Sequence, residues 1–344
     1  MSSETLAQAE PSHTADRSWK SRLRFGVGLV VSVVIVAVIV SQIDGARVRT
    51  SLQHVPATAL IGALALIGAG FAAKIARWQV MLLSVAPSVT WPVSAQTLLA
   101  SVALNNVLPL RAGDVARVFA FGGVTGAPPS AVLPLMLLER LLDTTLLVAM
   151  AAAVAFPMQR FGLLPAHLEF FAPLAVVVIT AMAALAAAAG PLAARLATWP
   201  NLGLRWLPTT LHAPVRATLS ILAHQLRGPQ AARLLCLTVL AWLCEGGMLA
   251  VLASGFGFQY PIVAGYFACA LATLATLVPS APGFVGTFHA AAIAAVLLFG
   301  APTDDAAAFA FLAHGLLWLP LTLVGLGCFA LLTRTQRTRA VISS

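Results

Sequence analysis

The stretch "NNVLPLRAGDVAR", residues 105–117, interrupts a long apolar part of the chain. It holds two asparagines, a proline, a glycine, two arginines and an aspartate, while its neighbours are mostly Leu, Ala, Val and Phe. Pro109 lacks the backbone N–H that a helix needs, and Gly113 allows the backbone to turn closely. The stretch therefore predicts a break between two apolar helical arms, with polar side chains gathered at the break.

The composition of the whole chain is that of an integral membrane protein. Of its 344 residues, 60% are hydrophobic and 9% are charged, against roughly 25% charged residues in soluble proteins. Long unbroken apolar runs indicate helices rather than a barrel. The formal charge of +9 would favour nucleic-acid binding in a soluble protein. Here we interpret basic residues at the ends of spans as topology signals, and no nucleic-acid partner is expected.

Six apolar runs are long enough to cross a bilayer, and two further apolar regions are broken. The six runs cover residues 25–43, 57–77, 132–156, 168–190, 233–254 and 305–332. The first broken region runs over 93–108 to Pro109 and continues as a short segment. The second runs over 262–278 to Pro279 and continues as an arm at 287–299. An arm of about 13 residues is too short to cross alone, so each region is predicted to be a re-entrant helical hairpin that returns to its own side.

The distribution of basic residues predicts the orientation. With the N-terminus in the cytoplasm and both hairpins returning, the cytoplasm receives the basic N-terminal cluster, the connection 191–232 and the basic tail. That asymmetry follows the positive-inside rule. A full crossing by one broken region would put the tail outside, and full crossings by both would put 191–232 outside. We therefore expect a multi-pass protein of the inner, cytoplasmic membrane with both termini in the cytoplasm. Lys74, Arg77 and Trp78 are interpreted as an interfacial anchor at a span end.

The predicted fold is an all-α polytopic membrane protein with about six full spans and two re-entrant helical hairpins inserted from opposite faces. The first half begins inside and the second outside, which makes an inverted-topology repeat. "PLRAG" at 109–113 and "PSAPG" at 279–283 share Pro-x-x-x-Gly at the two bends. Interrupted helices at corresponding places in two halves indicate a transporter's site near the midplane. The predicted domains are a disordered cytoplasmic tail at 1–24, a first membrane repeat at 25–156, a second membrane repeat at 157–332 that includes the basic cytoplasmic connection 191–232, and a basic cytoplasmic tail at 333–344.

Charged residues cluster at the first break. Arg111, Asp114 and Arg117 follow one another at intervals of three, so on a helix neighbouring members share a face. One interpretation places them at the cytoplasmic interface, where they only end a helix. The other places them in a polar cavity, because an ionisable residue inside a membrane is a functional candidate. There the arginines would bind an anionic headgroup, since guanidinium matches phosphate in a bidentate way.

The motif "LERLLD" at 138–143 adds two carboxylates in the next span. Glu139 and Asp143 lie four residues apart and repel each other unless a cation intervenes. Arg140 is the expected partner of Asp143, and Arg111 or Arg117 is the expected partner of Glu139. Such a network is compatible both with a structural clasp and with a substrate site.

Further candidates lie in the second half. Glu245 in "CEGGML" and His289 at the start of the second short arm are candidate proton carriers, although His289 is equally suited to bond a freed carbonyl at the bend. His314 is expected to pack between helices, and 191–232 is either an amphipathic helix on the lipid surface or a solvated loop. The candidate substrate-binding residues are Asn105, Asn106, Arg111, Asp114, Arg117, Glu139, Arg140, Asp143, Glu245, Gly283, Gly286 and His289.

Signatures of catalysis are missing from the sequence. It contains no GxSxG, HExxH or P-loop motif, and its four cysteines show no metal-ligand spacing. We therefore expect no catalytic residue, no bound metal, no cofactor and no enzymatic activity. Any directional transport must then draw on a gradient, another subunit or coupled metabolism.

Four motifs together resemble the flippase-like family that includes the transmembrane domain of the lysylphosphatidylglycerol synthetase/flippase. They are "ARW" at 76–78, "LNNVLPLRAGDVARVF" at 104–119, "ERLLD" at 139–143 and "PSAPGFVGTFHAA" at 279–291. The resemblance covers residues 25–332 and implies a polytopic bacterial or archaeal membrane protein that moves lipids or lipid-linked sugars between leaflets. The chain departs from many members at Phe288 and His289, where they carry Arg-Glu. It also lacks the soluble aminoacyl-transferase domain, so direct synthesis of an aminoacylated lipid is not expected.

Two functional hypotheses follow. The first is a transporter or flippase that moves an anionic lipid or a lipid-linked sugar between leaflets. The second is a non-transporting membrane subunit or accessory protein of envelope glycolipid or phospholipid synthesis, in which the same pocket would hold a lipid for another protein. The expected partners are membrane lipids, either an anionic phospholipid or a polyprenyl-phosphate-linked glycolipid, together with envelope-synthesis enzymes in the second case.

Overall fold

The computed structural model describes residues 29–109, 111–160, 171–198, 209–278 and 280–343. Over these residues the chain forms helices and no strands, which confirms the predicted all-α class. The predicted tail at 1–24 and two bend residues, Leu110 and Pro279, lie outside the described residues.

Thirteen α-helices and one short 3-10 helix follow one another in the described parts of the chain. The α-helices are α1 (Leu29–Ser41), α2 (Gly45–His54), α3 (Ala57–Leu83), α4 (Trp91–Val107), α5 (Ala112–Phe119), α6 (Gly122–Thr125), α7 (Pro129–Arg160), α8 (Phe171–Thr198), α9 (Thr209–Gln225), α10 (Gly228–Gly255), α11 (Pro261–Ala275), α12 (Thr287–Leu297) and α13 (Thr303–Ser343). The 3-10 helix, Pro282–Phe284, lies between α11 and α12.

Long apolar helices occur where spans were predicted. Within the described residues, α3, α7, α10 and the Thr303–Arg334 part of α13 are long and apolar enough to cross a membrane. The pair α1 and α2, bent by 85°, raises the number from 4 to 5 if it forms one span. Helix α8 covers the predicted span at 168–190 from Phe171 onward, and residues 168–170 lie outside the described residues. The chain is thus a multi-pass membrane protein, and the total of six full spans stays a prediction.

The outer surface of the helix bundle is apolar. Ile61 on α3 is 67% exposed and Leu323 on α13 is 62% exposed, and many other large apolar side chains share this exposure. Soluble proteins rarely leave so much contiguous apolar surface in water. These helix faces are suited to contact with lipid.

The first break has the helix–bend–helix form that the sequence predicted. Helix α4 ends at Val107 and α5 begins at Ala112. A Cβ atom on Gly113 would lie 1.9 Å from the carbonyl oxygen of Ser101, so only glycine allows the two arms to approach this closely. Asn105 accepts a hydrogen bond from the backbone N–H of Asp114 at 3.1 Å, which satisfies a donor in the first turn of α5.

The second break is held by helices from both ends of the chain. Gly283 and Gly286 have φ angles of 70° and 91°, values that favour glycine. The Nε2–H of His314 on α13 donates to the carbonyl oxygen of Gly283 at 2.8 Å. The backbone N–H of Ala281 donates to the hydroxyl of Ser32 on α1 at 2.8 Å. These two contacts satisfy backbone groups that the irregular turn leaves without helical partners.

The two hairpins pack crosswise between the halves of the chain. Helix α4 packs against α13, and α11 packs against α7, while α3 and α10 pack against each other. Each hairpin thus contacts the last helix of the other half. The bends also meet, because Arg111 donates to the carbonyl oxygen of Thr276 at 3.0 Å. That both hairpins are re-entrant, and that they enter from opposite faces, stays a prediction.

Three boundaries differ from the sequence-based expectation. Helix α3 continues to Leu83 rather than ending near residue 77, so Lys74, Arg77 and Trp78 lie inside the helix and not at its interfacial end. The connection 191–232 contains α9, which packs against α7 and α8, so this part is not a solvated loop. Helix α13 continues through the predicted tail to Ser343.

Candidate functional site

A cavity of about 220 Å³ lies where the two bends meet the long helices. Helices α3, α4, α5, α7, α10, α11, α12 and α13 and the 3-10 turn contribute side chains to its wall. Of the twelve predicted site residues, Gly286 and His289 lie outside this wall. The predicted residues that line the cavity are Asn105, Asn106, Arg111, Asp114, Arg117, Glu139, Arg140, Asp143, Glu245 and Gly283.

Among the described residues, the basic side chains that line the cavity outnumber the acidic side chains by one. The basic residues are Lys74, Arg77, Arg111, Arg117 and Arg140, and the acidic residues are Asp114, Glu139, Asp143 and Glu245. Such a concentration of charge inside an apolar bundle is costly unless the charges are paired. The charged side chains of the wall fall into two sets: buried ion pairs, and charged groups that are accessible from the cavity.

The first buried pair joins Arg77 on α3 to Asp143 on α7. The two guanidinium NH groups lie 2.6 and 3.1 Å from the two carboxylate oxygens, a bidentate contact. Thr238 accepts from the same guanidinium at 2.8 Å, and the indole N–H of Trp242 donates to Asp143 at 2.8 Å. The side chain of Arg77 is only 2% exposed, so Arg77 is not an interfacial anchor. The predicted pairing of Asp143 with Arg140 is also wrong, because Arg77 holds both carboxylate oxygens.

The second buried pair joins Arg117 on α5 to Glu139 on α7 at 2.9 Å. This contact confirms the predicted proximity of Glu139 to an arginine of the break and selects Arg117 over Arg111. The side chains are 2% and 6% exposed. The guanidinium also lies over the ring of Trp78, 4.2 Å from its centroid. We call this pair a clasp, meaning a buried ion pair that joins two helices, here α5 and α7.

The accessible charges surround Asp114. Arg140 lies 3.3 Å from both of its carboxylate oxygens, and Arg111 lies 4.0 Å from one of them. Asn105 donates to the same carboxylate at 3.0 Å. The side chains of Arg111 and Arg140 are 30% and 41% exposed, so these two guanidinium groups can meet an occupant of the cavity.

Arg111 adopts a backbone conformation that is unusual for its type. Its φ of 53° and ψ of 44° are left-handed, a region that costs an L-residue other than Gly roughly 1–2 kcal/mol. The side chain is fixed by its bond to the Thr276 carbonyl and by the ring of Phe284, whose centroid lies 5.5 Å from the guanidinium carbon. The surrounding structure thus holds a strained residue where the two bends meet, a placement common at functional sites.

Lys74 and Glu245 form a third ion pair, between α3 and α10. Their side chains are 15% and 14% exposed, so the pair is more accessible than the two buried clasps. The Lys74 ammonium lies 4.8 Å from the ring centroid of Phe71 and 4.4 Å from that of Trp242. Glu245 therefore has a lysine rather than a histidine as its partner.

His289 bonds the backbone of the second bend, but it accepts from an N–H rather than donating to a carbonyl as expected, and its role as a proton carrier stays a prediction. It is 3% exposed, and its Nδ1 accepts from the backbone N–H of Gly286 at 3.3 Å.

His314, which was expected only to pack, lines the cavity and bonds the Gly283 carbonyl. Trp318 also lines the cavity, and its indole N–H donates to the carbonyl of Asn106 at 3.4 Å. The spacing of four residues from His314 to Trp318 and on to Thr322 was the signal that could have identified this polar face of α13.

The fold and the cavity define a multi-pass helical membrane protein with a charged site enclosed between two broken helices. The chain belongs to the family described as "Lysylphosphatidylglycerol synthase TM region", which it matches over residues 26–325. This match confirms the resemblance carried by the four motifs. Comparison with curated proteins and with solved structures found no match.

Proposed function

We propose that this protein is a flippase that moves an anionic lipid or a lipid-linked sugar between the leaflets of a membrane. The observation that carries the proposal is the charged cavity at the contact between two broken helices. Arg111 and Arg140 are accessible there and lie side by side around Asp114. Guanidinium groups in this arrangement suit a phosphate, because each can donate two hydrogen bonds to its oxygens.

The size of the cavity supports a headgroup as its occupant. A volume of about 220 Å³ accommodates a polar headgroup but not long acyl or polyprenyl chains. Those chains would remain among apolar side chains next to the bends, where Val107 is 46% and Leu277 is 53% exposed. A flippase needs this division, since it shields the headgroup while the chains stay in lipid.

The crosswise packing of the hairpins supports a two-fold inverted arrangement. Alternating access in transporters of this kind occurs when one repeat moves against the other around a central site. The family name points to membrane-lipid chemistry for its relatives, and in this chain we propose lipid movement without catalysis.

Transport by purified protein in liposomes tests the proposal. A fluorescent phosphatidylglycerol is placed in one leaflet, and its appearance in the other is measured by quenching. We expect Arg111→Asn to abolish movement, because it removes an accessible cation while asparagine tolerates the left-handed backbone. Asp114 retains Arg140 and Asn105, so the variant should fold.

Arg49→Asn is the matched control, because Arg49 is an exposed arginine on α2 outside the cavity. It should transport at the wild-type rate. An unchanged rate in Arg111→Asn would contradict the proposed role of the cavity. Wild-type protein that binds the lipid but never moves it would instead favour the non-transporting accessory role.

A further inference from the structure

The ammonium of Lys74 occupies a cage in the cavity wall. Phe71 and Trp242 present their rings to it at centroid distances of 4.8 and 4.4 Å, and Glu245 supplies the counter-charge. All four residues line the cavity that holds Arg111 and Arg140. Two rings and a carboxylate around a cation form the arrangement with which proteins bind the ammonium group of a ligand.

The cage differs from the two buried clasps in its access to the cavity. Lys74 and Glu245 are 15% and 14% exposed, whereas the arginines of both clasps are 2% exposed. A ligand in the cavity can therefore reach the cage. There the ligand meets a cation-binding site that the ammonium of Lys74 already occupies.

We propose that Lys74 determines headgroup specificity by excluding ligands that carry an ammonium group. This inference rests on the proposed function and narrows its substrate class to headgroups that have a phosphate and no amine, which excludes for this chain the amine-bearing lipid in the family's name. An incoming ammonium must either displace Lys74 from Glu245 and both rings or lie beside a like charge in a site of low dielectric. Neither penalty applies to a glycerol or sugar headgroup, whose phosphate is bound by Arg111 and Arg140.

Competition binding in detergent tests the inference with two short-chain lipids. Dihexanoyl phosphatidylglycerol carries a phosphate alone, and dihexanoyl phosphatidylcholine adds a quaternary ammonium. The wild-type protein should prefer the glycerol lipid. Lys74→Ala empties the cage and leaves its rings and Glu245 in place, so we expect binding of the choline lipid to improve by roughly tenfold relative to the glycerol lipid.

Lys74→Met is the matched control for charge. It removes the same positive charge but keeps the cage filled with a side chain of similar length, so the preference should change much less than in Lys74→Ala. Lys74→Ala combined with Glu245→Gln leaves no unpaired charge, which covers the case in which the single variant does not fold. The rings alone should then give a smaller gain for the choline lipid, of roughly threefold.

The outcomes separate this inference from the proposed function. No gain in Lys74→Ala and in the double variant would overturn the exclusion role of Lys74, whereas equal gains in Lys74→Ala and Lys74→Met would overturn the filled cage as its cause and assign the exclusion to the Lys74 charge alone. A wild-type protein that binds both lipids equally would also overturn the exclusion role while leaving the proposed function intact. A wild-type protein that binds neither lipid would contradict the proposed function itself.

Discussion

At the scale of single residues, the arginines of the cavity wall differ in burial and therefore in role. Arg77 is enclosed by Asp143 and Thr238 and Arg117 by Glu139 and the ring of Trp78, and both arginines join helices. Arg111 and Arg140 keep part of their surface in the cavity. Because a buried charge that loses its partner is left without compensation, the enclosed pairs are costly to break, and under the proposed function the accessible cations are the ones that bind the headgroup.

Removal of one member of a clasp should cost more than removal of the pair. Glu139→Leu leaves Arg117 buried without its carboxylate, and we expect the free energy of unfolding to fall by about 3–5 kcal/mol. Glu139→Leu combined with Arg117→Met should recover most of that loss, since apolar residues of similar volume often replace a buried pair without penalty. Thermal unfolding in detergent measures both.

Arg140→Met is the comparison for the same experiment. The Arg140 side chain is 41% exposed, and Asp114 keeps Asn105 and Arg111 nearby, so the loss should stay below about 1 kcal/mol. A double variant less stable than Glu139→Leu alone would show that the Arg117–Glu139 pair is not a clasp.

The sequence predicted contacts between residues that are close along the chain and missed contacts between residues that are far apart along it. Arg117 and Glu139 are 22 residues apart, and the motifs predicted an arginine of the first break, Arg111 or Arg117, as the partner of Glu139. Arg77 and Asp143 are 66 residues apart, and their contact depends on how α3 crosses α7. Without that crossing, a charge inside a long apolar run is more simply explained as the end of the run. For this reason Lys74 and Arg77 were placed at an interface rather than in the site.

At the scale of elements, helix breaks were predictable because their causes are local. Pro109 removes a donor from its own turn of backbone, and Gly283 and Gly286 adopt positive φ angles at the second bend. The sequence pattern of 191–232 left open whether this segment is a helix or a loop. A basic amphipathic segment becomes helical only when its apolar face packs against another surface. Helix α9 packs against α7 and α8, and its Ile221 and Leu222 pack against a buried cluster that includes Leu135 of α7.

The crossing of α4 and α13 depends on one glycine. A Cβ on Gly325 would lie 2.2 Å from the carbonyl oxygen of Leu99, whereas a Cβ on Gly327 meets nothing within 4 Å. Gly325→Ala should therefore push α13 from α4, lower the thermal midpoint by several degrees and disturb the cavity through Trp318. Gly327→Ala should be neutral or stabilising by up to about 1 kcal/mol, because alanine favours the helix. Equal thermal midpoints of the two variants would contradict the close crossing.

At the scale of the whole molecule, the site exists only because both halves are present. The first hairpin supplies Arg111 and Asp114, and the second supplies Thr276 and Gly283. Each hairpin packs against the last helix of the other half. A movement of one half against the other would change the contact between Arg111 and Thr276 first, since it joins the two bends directly.

The orientation of the hairpins can be tested by labelling single cysteines from the two sides of the membrane. Ser88 and Ser130 flank the first hairpin, Gln259 and Thr303 flank the second, and all four residues are exposed. In a background without the four native cysteines, a membrane-impermeant maleimide should label Ser88→Cys and Ser130→Cys from the cytoplasmic side, because both ends of a re-entrant hairpin share a face.

Gln259→Cys and Thr303→Cys should be labelled from the opposite side, which inverted insertion of the second hairpin requires. Each variant is its own control when intact cells and inside-out vesicles are compared. Labelling of Ser88→Cys and Ser130→Cys from opposite sides would show that the first broken region crosses fully. The basic tail would then move to the outside unless the second region crosses as well, against the charge asymmetry. Labelling of all four positions from one side would retain the hairpins but remove the inverted repeat, and with it the basis for alternating access around Arg111.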